Sequence, residues 1–435
     1  MGARETALNV LIACRKEGGW SNGVLKQYTA RDRLDRREAA LASRLCYGVL
    51  QNRLKLDFYL QQLLTGKARD LHPAVRDILH LGLYQLRLMD KIPDSAAVNE
   101  SVALVKKYCP KVRSAPGLVN AVLRRAAAEE LQEPRSYVEK YSHPQALVDL
   151  LKSYVGKERL ENMLRANNDI APMTVQVNTL RTTAAALLVK LEGEGVEATP
   201  HAWLPDCLVL SNTGNLENLP SFREGLYYVQ DAAAKLSVLC AQIPPNSRVL
   251  DCCAAPGGKS FAAAMAMGGT GTVTSCDIHD HKIPLIEAGA KRLGIENLTA
   301  LCHDGAVFNQ AWENAMDAVI ADVPCSGYGI IRKKPDIRYK DPASMKDLPA
   351  LQLQIVTNQA LYVRPGGVLL YSTCTLVRAE NEGVVEAFLS NHPDFALEPL
   401  PLPPVFPKNE TGMLALVPGE YDTDGFFIAR LRKKL

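Results

Sequence analysis

The sequence predicts a multidomain protein: an all-α N-terminal domain, a small α+β subdomain, and a C-terminal α/β domain with a mostly parallel sheet. Three observations carry that prediction. Residues 3–140 place apolar side chains at i, i+3, i+4 spacing, broken at "HP" (72–73), "IPD" (92–94) and "CP" (109–110). Residues 160–230 mix short β-type runs with a single helical run. From 231 onward, short apolar runs alternate with amphipathic ones, the pattern of a parallel sheet covered by helices on both faces.

The helical stretches are "ETALNVLIAC", "REAALASRLCYGVLQNR", "LDFYLQQLL", "AVRDILHLGLYQLRLM", "AVNESVALVKKY" and "LVNAVLRRAAAEE". The N-terminal "MGARETALNVLIACRKEGG" has charges on both sides of a very short apolar run, so it reads as a helix and not as a signal peptide. Asp94 or Ser95 is the expected cap of the helix that follows "IP". "YSHPQALVDLLKSYVG" (141–156) is expected to be a connecting helix. The expected boundaries are therefore 1–140, 141–159, 160–230 and 231–435. In the last region the strands are "RVLDC" (248–252), "TVTSCD" (272–277), "LTALCHD" (298–304), "DAVIAD" (317–322) and "GVLLYS" (367–372). The tail "TDGFFIARLRKKL" adds one more strand, expected to be antiparallel at an edge.

Bulk properties narrow the function. With 47% hydrophobic and 22% charged residues, and no run of about 18 apolar residues, no transmembrane helix is expected. None of the eleven cysteines is spaced C-x-x-C, which predicts no metal site and reduced thiols in a cytoplasm. Net charge is only +3 but uneven: residues 1–140 hold 24 Lys+Arg against 15 Asp+Glu. That asymmetry points to a polyanionic partner. A monomer is expected.

Ligands of open α/β sheets bind beyond the C-terminal strand ends. The first such loop, "DCCAAPGGKS" (251–260), fails as a P-loop, because Cys253 stands where the first glycine should be, and it holds no G-x-G-x-x-G. Its glycines still allow close backbone approach before a helix N-terminus. Asp277 ends the second strand and suits ribose hydroxyls; Asp304 follows the third and suits an amino group such as that of adenine. With Asp251 these make three acids at three successive strand ends, which fits S-adenosylmethionine, an adenosine ligand without phosphates. Cys253, Ala254, Ala255, Pro256, Gly257, Gly258, Lys259, Asp277, Asp304 and Asp322 are the expected cofactor contacts.

Two thiols converge on the same end of the sheet. "DVPC" places Asp322 and Cys325 after the fourth strand, and "STCTL" places Cys374 after the fifth. Methylation of a pyrimidine at C5 needs such a set. A thiolate adding at C6 makes C5 nucleophilic, an acid attends N3, and a base removes the C5 proton. Arg332, Lys333, Lys334 and Arg338 follow Cys325 and are the expected contacts with substrate phosphates.

"CAAPGGK" (253–259), "DVPCSG" (322–327), "RKKPD" (332–336) and "YSTCT" (371–375) together resemble the NOL1/NOP2/Sun family of RNA cytosine-C5 methyltransferases, whose catalytic domain is Rossmann-like. The resemblance spans roughly 220–435. It implies that Cys374 attacks C6, that Cys325 assists product release, that Asp322 contacts the base and that Lys259 lies near the reacting atoms. Spacing alone leaves open which thiol attacks. Gln176 departs from the family, which usually has arginine there. "SRLCYGVLQNR", "DSAAVNESVALVKKY" and "GLVNAVLRR" resemble the NusB fold. A NusB-like domain on this catalytic domain resembles the B type of bacterial 16S ribosomal RNA methyltransferases. That implies an unpaired or flipped-out cytosine of 16S rRNA as target. Two other readings stay open: an RNA-binding or transcription factor with an inactive methyltransferase half, and an RNA uracil-C5 methyltransferase.

Overall fold

A computed structural model describes residues 1–17 and 21–435. Residues 18–20, which end the "KEGG" stretch and open the segment behind it, lie outside the described residues. The chain divides into two compact units. The first comprises residues 1–152, 164–168 and 331–341; the second comprises 153–163, 169–330 and 342–435.

The first unit contains α1 (Ala3–Glu17), α2 (Ser21–Arg31), α3 (Arg36–Gln51), α4 (Arg53–Leu63), α5 (Pro73–Leu88), α6 (Asp94–Tyr108), α7 (Ala115–Ala128) and the single turn α8 (Tyr137–Lys140). The apolar stripes of these helices merge into one core around Leu8, Leu45, Leu60, Ile78, Leu79 and Val119. α3 starts where Asp35 accepts the Glu38 N–H, as an N-cap should. α6 does not start as expected. Asp94 is its first helical residue, Pro93 occupies the cap position, and no side chain caps it. The "HP" at 143–144 does open a helix, α9 (Gln145–Val155), followed by α10 (Lys157–Ala166).

Segment 331–341, which follows the Cys325 loop in sequence, belongs to this helical unit. Arg338 is fully buried there. Its guanidinium donates to the Gln51 carbonyl (2.8 Å), the Asn168 side-chain oxygen (2.8 Å) and the Asn167 carbonyl (3.2 Å). Burial lowers its pKa to about 10. The Tyr339 hydroxyl donates to the Leu50 carbonyl at 2.7 Å, and Asp336 accepts from the Ser21 hydroxyl at 2.5 Å.

The second unit contains two sheets. The smaller is antiparallel, in the order β2 (Glu197–Pro200), β3 (Cys207–Ser211), β1 (Met173–Val177), β4 (Tyr227–Val229). The helix α11 (Ala184–Gly193) and the turn α12 (Pro220–Arg223) accompany it, with a core of Val175, Val177, Leu187, Leu191 and Leu208. α13 (Ala232–Cys240) leads into the larger sheet.

The larger sheet holds β5 (Arg248–Asp251), β6 (Thr272–Asp277), β7 (Leu298–Cys302), β8 (Met316–Asp322), β9 (Val363–Thr373), β10 (Phe395–Leu397), β11 (Met413–Leu416) and β12 (Phe426–Lys433). Its order is β10-β12-β9-β8-β5-β6-β7, with β11 also on β12. Strands β7, β6, β5, β8 and β9 are mutually parallel. The helices α14 (Gly258–Ala266), α15 (Ile283–Leu293), α16 (Leu348–Ala360) and α17 (Glu382–Asn391) alternate with the strands. The final strand is not an edge: β12 pairs with β9 on one side and with β10 and β11 on the other. Its sequence fits that place, since Phe426, Phe427, Ile428, Ala429, Arg430 and Leu431 are all buried. The strand order reverses between β5 and β8, so the switch point at which open α/β sheets bind ligands falls at the ends of those two strands.

Candidate active site

The loop after β5 is shaped by what it cannot accommodate. Gly257 has φ +109°, and a Cβ there would come within 2.4 Å of the Phe261 ring, so only glycine fits. The backbone therefore passes bare over the start of α14, whose first amides have no intrahelical partner. The Ala254 N–H donates to the Cys276 carbonyl at 2.7 Å, tying the loop to the end of β6. Beneath it, Ser275 donates to the Ser260 hydroxyl (2.8 Å) and Ser260 donates to Asp251 (2.7 Å). Asp251 is fully buried, and burial raises its pKa to about 7. Ala254 is buried, Cys253 and Ala255 are half-buried, and Pro256 is exposed.

Asp277, at the end of β6, uses Oδ1 to accept the His279 N–H at 3.0 Å, with Lys282 Nζ at 3.5 Å from the same oxygen. Asp304, just past β7, uses Oδ1 to accept the Ala306 N–H at 2.9 Å. Each Asp thus ties its own turn with one oxygen and leaves the other without a hydrogen bond among the described residues. Bare backbone, a helix start and two acceptors on successive strand ends fit an adenosine ligand such as S-adenosylmethionine.

The thiols meet beside this loop. Cys325 Sγ lies 3.2 Å from Cys374 Sγ, and both residues are half-buried. They come together because β8 and β9 are paired in parallel register, with Asp322 opposite Ser372. The backbone beyond is pinned where Gly329 N–H donates to the Cys374 carbonyl (2.9 Å) and the Gly425 N–H donates to the Gly329 carbonyl (2.8 Å). A Cβ on Gly329 would strike that Gly425 carbonyl at 2.0 Å. Asp322 receives Lys259 Nζ on one oxygen and the Ser372 hydroxyl on the other, both at 2.7 Å.

Electrostatics separate these groups. Burial works against the Lys259 charge, but the Asp322 carboxylate outweighs it and holds the ammonium above its ordinary pKa, with Asp251 and Cys374 adding to the effect. Contact with the Cys374 sulfur, then burial, then the Cys374, Glu380 and Asp322 charges push the Cys325 thiol well above its usual range. The Cys325 proton is therefore held tightly, and the S···S distance allows an S–H···S contact with either sulfur as donor.

The loop 253–259, Asp277, Asp304, Asp322, Cys325 and Cys374 thus gather at one end of one sheet. Arg332 and Arg338 are buried in segment 331–341, where Arg338 is consumed by carbonyls, and Lys333 and Lys334 are half-buried. For Arg338 this corrects the expectation of a phosphate contact: its donors face protein. Ser372 was overlooked although it lies inside "YSTCT". Glu380 and Gln352, which reach the Cys325 loop, gave no periodic or motif signal at all.

Three family models match successive parts of the chain. The NusB family covers residues 1–128, the ferredoxin-like domain of RsmF/B-like methyltransferases covers 143–217, and the 16S rRNA methyltransferase RsmB/F covers 238–432. The chain is 36% identical to "Probable ribosomal RNA small subunit methyltransferase B" of Bacillus subtilis, over 99% of this chain and 98% of that one. It is 35% identical to "Ribosomal RNA small subunit methyltransferase B" of Vibrio cholerae, over 93% and 92%. NSun6 from Pyrococcus horikoshii, solved with SFG, shares the fold with a TM-score of 0.58 at 20% identity, over 67% of this chain and 98% of that one. Identity at this level along nearly the whole length establishes that the chain belongs to the ribosomal RNA small subunit methyltransferase B family of S-adenosylmethionine-dependent rRNA methyltransferases.

Proposed function

We infer that the protein methylates C5 of one cytosine in 16S ribosomal RNA through a covalent bond between Cys374 and C6. The observation that carries this reading is the 3.2 Å approach of two half-buried thiols beside the Lys259–Asp322 pair. Bound S-adenosylmethionine would supply the methyl group from its sulfonium. Residues 253–259 would hold it, with Asp277 at the ribose and Asp304 at the adenine. SFG, an analogue of S-adenosylmethionine, accompanies the fold in the Pyrococcus protein, which supports the choice of cofactor.

The chain's own groups then have distinct tasks. Lys259 sets a positive charge that interacts with the Cys374 sulfur. Cys374 Sγ bonds to C6 and C5 gains nucleophilic character. Asp322, held at both oxygens, is oriented to contact the target base. Once C5 carries the methyl group, its proton passes to a base, for which a solvent water suffices, the C6–S bond breaks and Cys374 leaves as a thiolate. Cys325, carrying its proton beside that sulfur, assists the departure. The target base must be unpaired or flipped out to reach the thiol, and the enzyme acts as a monomer.

Labelled S-adenosylmethionine with unmethylated small-subunit rRNA, followed by nucleoside analysis, tests the reading. 5-methylcytidine is the expected product. 5-methyluridine would overturn the base assignment, and no transfer would leave a binding protein.

A further inference from the structure

Glu380 is a buried carboxylate, 3% exposed, on a short turn six residues past Cys374. No cation pairs with it among the described residues. Its Oε2 accepts the Ser326 N–H and the Gln352 side-chain N–H, each at 2.9 Å. The same Gln352 nitrogen lies 2.9 Å from the Pro324 carbonyl. The carboxylate and Gln352 thus grip the backbone on both sides of Cys325. From the other strand, the Tyr371 hydroxyl donates to the Glu380 carbonyl at 2.6 Å. Ser326 and Thr375 complete the tie through a hydroxyl pair 2.6 Å apart. Pro324–Ser326 follows β8 and Tyr371–Thr375 ends β9, so Glu380 bridges the two thiol-bearing strand ends.

We propose that Glu380 is the positioning residue of the thiol pair: it fixes the Pro324–Ser326 turn so that Cys325 lies against Cys374, and gives the two sulfurs unequal surroundings. This rests on the covalent reading above. A buried carboxylate with only neutral donors is expensive to keep, so its retention needs a return beyond stability. That return is a protonated Cys325. The groups that face Cys325 are Cys374 and Tyr371 from β9, Asp322 from β8 and Glu380 from the turn, with Lys259 reaching Cys374 from α14. Two of these, Asp322 and Glu380, are carboxylates that oppose a negative charge on Cys325. With its proton retained, Cys325 donates to the Cys374 thiolate as the C6–S bond breaks.

The test uses the full chain and two variants that separate charge from geometry. Glu380→Gln keeps an oxygen to accept the Ser326 N–H but removes the charge. Gln352→Leu removes one tie and keeps the charge. Iodoacetamide alkylation of Cys325 and Cys374 is followed by peptide mass spectrometry across pH 6–10, without RNA. Parent protein is expected to modify Cys374 at least about tenfold faster than Cys325, the ratio that one charge-assisted hydrogen bond supplies. Glu380→Gln is expected to shift the Cys325 profile to lower pH and narrow that ratio, and to slow adduct release about tenfold with KM for S-adenosylmethionine unchanged. Gln352→Leu is expected to slow release without moving the pH profile. An unmoved Cys325 profile in Glu380→Gln, with only a lower melting temperature, would overturn the proposal. Because alkylation needs no substrate, failure of the parent to methylate RNA would strike the covalent reading and not this arm.

Discussion

Lys259 is a half-buried cation and Arg338 a fully buried one, and both were expected to serve the substrate, yet their surroundings give them opposite lives. Lys259 meets a carboxylate at 2.7 Å and feels a thiol, and its charge is reinforced. Arg338 meets only neutral oxygens, and its pKa falls to about 10. The first sits at the end of a parallel sheet, where strand ends bring acids and thiols together. The second sits among helix ends, whose last carbonyls lack intrahelical partners and need donors. A cation's partners, more than its presence in a basic run, decide whether it works on a substrate or on the fold.

That comparison can be broken or sharpened by substitution. The largest effect belongs to the group both thiol arguments depend on. Cys374→Ser should lower methyl transfer by about 10⁴-fold or more, since removing a nucleophile leaves only binding and orientation. Its affinity for S-adenosylmethionine, read by calorimetry, should stay near parent. Lys259→Met should cost about 10²–10³ in kcat, the scale for deleting one preorganised charge. Arg338→Met should instead destabilise the fold by about 3 kcal/mol in urea, because several buried oxygens lose their donor. Its kcat per folded molecule should hold within about twofold, and the salt slope of RNA binding should not change, whereas a lost phosphate contact would lower that slope by about one. Should Lys259→Met prove silent in turnover and Arg338→Met costly, the two roles would be exchanged.

Smaller effects test the neighbouring groups. Cys325→Ala should accumulate a protein–RNA adduct on a denaturing gel, with release slowed about tenfold or more. Asp251 gives a pH signature. Its carboxyl has a folded pKa of about 7 against an ordinary 3.8, so the native state binds the proton more tightly. Its contribution is most favourable below pH 4 and is lost as pH rises towards 7. Asp251→Asn should flatten that part of the stability-versus-pH curve, measured by urea unfolding at pH 4.5 and 7.5.

Much of this was legible in the chain. The strands at 248–251, 272–277 and 316–322 show as short apolar runs closed by an acid, because buried parallel strands are apolar throughout and turn polar only at the ligand end. Cys374 and Cys325 were found by the same logic. What escaped depended on pairing. The short strands β2, β10 and β11 carry too few residues for a period, and only their neighbours define them. β12 was taken for an edge because the short strands β10 and β11, which pair with its far side, had not been seen. α2 was unseen because its "SNGVLKQYTAR" has few apolar positions. Arg338 was misread for a related reason: a basic run looks solvated until three-dimensional packing shows carbonyls closing around one member. Glu380 was missed because its partners lie 54 and 28 residues away.

The most direct test isolates the adduct itself. Cys325→Ala protein would be incubated with S-adenosylmethionine and unmethylated small-subunit rRNA, quenched, and digested with protease and nuclease, and the cross-linked peptide sequenced by mass spectrometry. The account predicts a methylated cytidine attached to the sulfur of the peptide that contains "STCTL". A nucleotide on any other residue, or turnover to 5-methylcytidine with no peptide ever attached, would contradict it.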